Sequence, residues 1–149
     1  PSLARRANET AIRVLPGLQR DWFDASAFFN QTYIVSEASN RMGLRLKGTP
    51  LVRPARELTS EPVAPGAVQI TNDGLPVILG VDGQTIGGYP KIAHVIRADL
   101  DLLGQLRPGT TVCFVEVSFS EAEVAQAESR AALGKYLPFW RAGAAPEFG

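Results

Sequence analysis

The sequence predicts a mainly β protein, a barrel or a sandwich carrying a few short helices. Short β-prone runs recur along the chain, glycines and prolines punctuate them throughout, and stretches with helical period are few and brief. A parallel α/β sheet needs long helices between its strands, and this chain does not supply them.

Residues 1 to 10 are polar and without periodicity. Ile12 to Leu15 then forms a β-prone run that Pro16-Gly17 stops. Asp21 is the expected cap of a short helix carrying Trp22, Phe23, Ala25 and Phe28 or Phe29, and Tyr33-Ile34-Val35 follows as a strand. Ser39-Asn40 turns the chain into Leu44-Arg45-Leu46-Lys47, whose alternation suits a strand with one solvated face. Gly48, Pro50, Pro54, Pro62, Pro65 and Gly66 break up residues 48 to 66, which read as a loop with one short strand.

Ala67 to Ile70 and Pro76 to Val81 form the expected hairpin, joined through Asn72-Asp73-Gly74. Val77-Ile78-Leu79 is apolar on both faces and is therefore placed centrally in its sheet. Ile92 to Ile96 is β-prone, Asp99 is the expected cap of a helix running to Leu106, and Arg107-Pro108-Gly109 turns into a strand from Thr110 to Phe119. Cys113, Val115, Val117 and Phe119 share one face of that strand, so Cys113 reads as a buried small hydrophobe. Ser120-Glu121-Ala122-Glu123 fits a capping box opening a last helix that ends near Gly134. The expected organisation is a polar segment over 1–10, one domain over 11–134 and a tail over 135–149.

With 149 residues and 45% hydrophobic content, the chain can bury a core. Fifteen basic and fifteen acidic side chains cancel, so no overall field attracts nucleic acid or an anionic membrane. One cysteine rules out an internal disulfide framework and one histidine a His-rich metal site, so no metal is expected. No apolar run has membrane-spanning length, and the cytosol is the expected compartment. An opening Pro-Ser-Leu-Ala-Arg-Arg without an initiator Met reads as a piece of a longer polypeptide.

Walker, GxGxxG, HExxH and GxSxG motifs are absent. His94, inside an expected strand, reads as structural. Chemistry concentrates instead in Asp82-Gly83-Gln84-Thr85-Ile86-Gly87-Gly88-Tyr89-Pro90-Lys91. Its paired glycines suit positive φ, and the segment fits either a barrel corner with Tyr89 packed beneath it or a binding loop. In the second case the glycine N–H groups and Lys91 hold an anionic carbonyl or carboxylate oxygen, and Asp82 and Gln84 orient the partner group. Arg41 suits either a solvated turn or a two-pronged grip on a carboxylate, while Ser60, Glu61 and Gln69 suit either a rigid loop or a pocket wall.

Five blocks in order, Ser39-Asn40-Arg41-Met42-Gly43-Leu44-Arg45-Leu46, Ser60-Glu61-Pro62 to Gln69-Ile70, Asp73-Gly74-Leu75-Pro76, Asp82 to Pro90, and Gln105-Leu106-Arg107-Pro108-Gly109, resemble one family. It is the allophanate hydrolase subunit 2 family, also called KipA-like or biotin-dependent carboxyltransferase, which includes the C subunit of the bacterial 5-oxoprolinase complex and the carboxyltransferase region of urea carboxylase. Members are longer, and the chain resembles their C-terminal half.

The resemblance implies a cyclophilin-like β-barrel. It also implies a substrate cleft lined by Asp82, Gln84, Thr85, Gly87, Gly88, Tyr89 and Lys91, with Gln69 and Arg41 as further candidates. In that cleft Lys91 and the Gly87 and Gly88 amides stabilise an oxyanion and Asp82 orients a small amide or lactam. The expected activity is a share in ATP-dependent opening of 5-oxoproline to glutamate. The alternatives are carboxyl transfer of the urea carboxylase kind, or a non-catalytic module that docks and regulates a partner. Expected partners are a subunit 1 (KipI-like) protein and a protein like the A subunit of the 5-oxoprolinase complex, with ATP or carboxybiotin handled elsewhere in the assembly.

Overall fold

The computed structural model of the chain describes residues 9–83 and 86–134. Seven strands close into a barrel, in the order β1 (Thr10–Pro16), β8 (Lys91–Val95), β5 (Ala67–Ile70), β6 (Pro76–Leu79), β3 (Gly43–Lys47), β2 (Tyr33–Val35) and β9 (Thr111–Glu116). Every neighbouring pair is antiparallel except β1 and β9, which run parallel and close the ring, with Thr10 opposite Val112 and Val14 opposite Glu116. Two short strands, β4 (Glu61–Pro62) and β7 (Ile86–Gly87), form a separate two-stranded ribbon. The barrel that the strand pattern allows, and the resemblance implies, is the architecture observed.

Alternation along each strand fills the interior. Ile12 and Val14 of β1, Val68 and Ile70 of β5, Ile78 of β6, and Val112 and Phe114 of β9 all point into one apolar core. The helix α1 (Ala25–Phe29) delivers Phe28, which stacks on Phe114 at 4.5 Å between ring centroids and meets Phe29 edge-on at 4.9 Å. Tyr33 packs edge-on to Phe114 at 5.7 Å, and burial pushes its phenol pKa well above the ordinary value. Strand β6 lies between β5 and β3, as its two-sided apolarity requires.

The β5–β6 hairpin is the most local part of the design. Gly74 takes φ +81°, a value other residues resist, and Asp73 accepts hydrogen bonds from the Thr71 hydroxyl and the Leu75 N–H. The Thr71 bond is the main cause of an Asp73 carboxyl held below its ordinary pKa.

Several local expectations are corrected. Asp21 lies in a 3-10 turn, Arg20–Trp22, and the cap of α1 is Asp24, whose carboxylate accepts from the N–H groups of Ser26 and Ala27. Asp99 does occupy the N-cap position of α2 (Leu100–Leu103), which stops short of Leu106, but its carboxylate does not cap. It is held instead by Arg13, from the backbone N–H and Nε to Oδ2 and from Nη2 to Oδ1 at 2.6 Å.

Strand β6 ends at Leu79 and β9 at Glu116, both earlier than expected. On β9 the core face is the opposite one: Val112 and Phe114 point inward, and Cys113 is half-buried on the outside. The helix α3 (Phe119–Gly134) is capped two residues earlier than expected, by Ser118 and Glu121, which exchange Ser118 N–H to Oε1 at 2.8 Å and Glu121 N–H to Oγ at 3.0 Å. Ser118→Ala is therefore expected to lower the chain's stability by about 1 kcal/mol in urea unfolding, whereas Ser120→Ala leaves it unchanged.

Candidate functional site

Because Val68 and Ile70 face the core, Gln69 between them faces the outer wall of the barrel. On the neighbouring strand Ala93 pairs with Val68, but it is Lys91 that pairs with Gln69. Ile92 is thereby the extra residue of a β-bulge, and the bulge swings Lys91 to the side of Gln69. The β4–β7 ribbon lies over both. Glu61 brings Oε1 to 3.8 Å from Lys91 Nζ, and Gly87 sits so close that a Cβ there would lie 2.7 Å from Gln69 Nε2.

A third segment completes the enclosure. After β1 the chain crosses the start of β8, with Gly17 N–H donating to the Ile92 carbonyl at 3.0 Å and Gln19 N–H to the Lys91 carbonyl at 2.9 Å. The side-chain oxygen of Gln19 accepts from Lys91 N–H at 2.9 Å, and its Nε2 donates to Glu61 Oε1 at 3.3 Å. Gln19 is buried and ties the backbone of Lys91 to the carboxylate that faces it. Gln19→Leu keeps the volume but leaves a buried N–H without an acceptor. It is expected to cost about 2 kcal/mol in chemical denaturation.

The electrostatics of the cluster are unbalanced. The Lys91 side chain is only 9% exposed, yet its Nζ has no hydrogen-bonding partner among the described residues, and Gln69 Nε2 is in the same condition. Glu61, at 3.8 Å, offsets part of the charge without accepting a hydrogen bond from Nζ. Leaving a buried donor unmatched costs about 1–3 kcal/mol, more for a charged one. Two such donors side by side form a site that an incoming oxygen acceptor would complete.

Of the residues singled out by sequence, the structure brings together Lys91, Gln69 and Gly87. Gly88 and Tyr89 follow on the chain and are exposed. Arg41 and Asp82 form their own ion pair, Nε to Oδ2 at 2.9 Å, with both side chains more than half exposed. Gln84 and Thr85 lie outside the described residues. The positive φ expected of Gly87 and Gly88 is not found. Gly87 is needed for close approach to Gln69 instead.

Gln19 escapes sequence reasoning, since a glutamine after Pro-Gly carries no signature, and Glu61 stands out there only as a pocket wall. His94 is half-buried, with Nδ1 at 2.9 Å from the Val95 carbonyl oxygen. Among the described residues no group of three or more His, Cys, Asp or Glu side chains could hold a metal ion. No helix there is long and apolar enough to cross a membrane.

Barrel, ribbon and buried amine define a domain whose unmatched donors sit on its outer wall. The chain belongs to the family described as carboxyltransferase domain, subdomain A and B, which matches residues 1–116. It is similar to the C subunit of 5-oxoprolinase from Escherichia coli (strain K12), with 44% identity over 115 residues, covering 74% of this chain and 37% of that protein. It is also similar to the urea amidolyase of Lachancea kluyveri, 33% identical over 117 residues, covering 71% of this chain and 6% of that protein. The crystal structure of the Kluyveromyces lactis urea carboxylase matches with a TM-score of 0.80 at 30% identity, covering 91% of this chain and 13% of that one. The chain thus spans little more than a third of the length of the Escherichia coli relative.

Proposed function

We propose that this chain supplies part of the substrate cleft of a multi-subunit, ATP-dependent 5-oxoprolinase, which opens 5-oxoproline to glutamate. The observation that carries this is the pair of buried, unmatched donors, Lys91 Nζ and Gln69 Nε2, on adjacent strands. A lactam carbonyl gains negative charge on oxygen as its carbon is attacked, and fixed donors in a poorly solvated site stabilise that charge most. Lys91 carries the catalytic role, with the Gly87 and Gly88 amides as further donors. By the family resemblance Asp82, Gln84, Thr85, Tyr89 and Arg41 contribute to substrate binding, with Asp82, paired to Arg41, orienting the substrate amide. ATP is handled by other members of the assembly, which include a subunit 1 (KipI-like) protein and a protein like the A subunit of 5-oxoprolinase.

A second reading is carboxyl transfer of the urea carboxylase kind, favoured by the match to the Kluyveromyces lactis structure over 91% of the chain. Here the same donors receive the oxygen of a carboxyl group in transit, and carboxybiotin is carried elsewhere in the assembly. The two are separated by assembling the chain with its partner proteins and supplying 5-oxoproline with ATP, or urea with bicarbonate, ATP and a biotinylated carrier. Glutamate release that depends on this chain supports the first reading. Its absence, alongside chain-dependent carboxylation of urea, replaces the first reading with the second. Stable association with the subunit 1 protein and no turnover of either substrate leaves a docking module.

A further inference from the structure

Gly87 and Gly88 turn opposite faces to their surroundings. A Cβ on Gly87 would point at Gln69, whereas one on Gly88 would lie 3.6 Å from the Ser60 hydroxyl and 3.7 Å from the Leu58 carbonyl. On the Gly88 side lies a cavity of about 580 Å³, bounded by the loop from Arg53 to Leu58 and by Asn72, Gly88 and Tyr89. It shares Gly88 and Tyr89 with the proposed cleft, but Lys91, Gln69, Glu61 and Gln19 do not line it.

Two guanidinium groups in this cavity are already ordered. Arg56 lies over the Trp22 ring, 5.1 Å from the centroid. Arg53 donates from Nη1 to the Asn72 side-chain oxygen, and its Nε is buried without a hydrogen-bonding partner among the described residues. Glu57 is the one acidic residue of the lining, against two arginines. An arginine normally gives up side-chain entropy on binding a ligand, and much of that cost has been met here by Trp22 and Asn72. Tyr89, 39% exposed, adds an aromatic wall, and Pro54 and Leu58 add apolar ones.

We propose that this cavity is a binding site for the oxyanion of a small molecule, a carboxylate or a phosphate. Arg53 and Arg56 grip the anion, and the Tyr89 ring lies against the ligand's body. Guanidinium forks match both oxyanions in two-point geometry, which lysine does not reproduce. The proposal stands on this cavity alone and is independent of what Lys91 does.

The test is a nuclear magnetic resonance titration of the nitrogen-labelled chain, following arginine Nε–H and Tyr89 signals as acetate or inorganic phosphate is added at constant ionic strength. The expected result is saturable movement of the Arg53 Nε–H signal with a dissociation constant of about 1 mM. Arg56→Gln is expected to weaken it by about tenfold or more. Saturation by acetate alone assigns a carboxylic acid ligand, saturation by phosphate alone a phosphate ester, and saturation by both an oxyanion site without preference. Failure of both anions to saturate overturns the proposal, as does equal affinity in wild type and Arg56→Gln. Should Arg56→Gln unfold through loss of the Trp22 stack, Arg53→Lys followed on the Tyr89 signals takes its place. It retains charge but not the fork, and unchanged affinity there overturns the proposal too.

Discussion

Lys91→Met is expected to lower turnover of the proposed oxoprolinase assembly by about a hundredfold or more while leaving the melting temperature of the chain at or above that of the wild type. The two halves of this expectation come from one geometry. Lys91 Nζ is buried with no hydrogen-bonding partner among the described residues, so the folded state carries an unmatched donor that methionine removes at similar length. Glu61 does not become an orphan in exchange, because its side chain is 28% exposed and keeps its bond from Gln19 Nε2. Functional groups are held at a cost in stability, and substitutions that relieve the cost raise stability as activity disappears. Turnover measured with the partner proteins present, beside a thermal melt of the chain, checks both halves. Unchanged turnover removes Lys91 from the chemistry, and a melting temperature several degrees lower makes it a structural residue.

Gly17→Ala is expected to cost about 3 kcal/mol, read as a shift in the urea midpoint with an unchanged slope. A Cβ at residue 17 would lie 2.4 Å from the Lys91 carbonyl oxygen, 2.6 Å from Ala93 N and 2.8 Å from the Ile92 carbonyl carbon. All three are backbone atoms of a barrel strand and have no rotamer by which to move aside. Relief requires lifting residues 17 to 19 off β8, which also breaks the bonds from Gly17 and Gln19 to that strand. The same change should reduce turnover, since Gln19 fixes the Lys91 backbone. A midpoint within experimental error of the wild type would show that the crossing is loose.

What the sequence reveals depends on how local the cause is. The β5–β6 hairpin is legible because Asp73 and Gly74 supply both the side-chain acceptor and the left-handed backbone its turn needs. The last helix is legible but its start is not, because Ser118 and Ser120 each have a glutamate three residues on. The choice is made by β9, whose partner strand still holds the Val117 N–H through the Val14 carbonyl at 2.9 Å, so the chain is released just in time for Ser118 to cap.

Pattern alone puts Cys113 on the wrong face because apolar residues populate both sides of β9, and only Phe28 and Tyr33, distant in sequence, single out Phe114. The site shows the same division. Gly87 stands in one block of the family, with Lys91 directly after it, and Gln69 stands in another. What joins them is a bulge at Ile92 and a ribbon of two residues per strand, both too short to leave any periodicity. Gln19 arrives from the far end of β1, by a route that no pattern around residue 91 announces.

The parallel pairing of β1 with β9 has a consequence for the order in which the molecule can be made. The two strands that seal the ring stand about a hundred residues apart in the chain, near opposite ends of the described fold. While the polypeptide emerges from the ribosome, β1 has only β8 to pair with, and its other edge stays open until residue 116 has cleared the exit tunnel. Barrel closure therefore waits on β9, and until that strand emerges the nascent chain presents an unpaired strand edge. In that interval β1 is the segment that a chaperone would shield, and the place where two unfinished copies would first adhere.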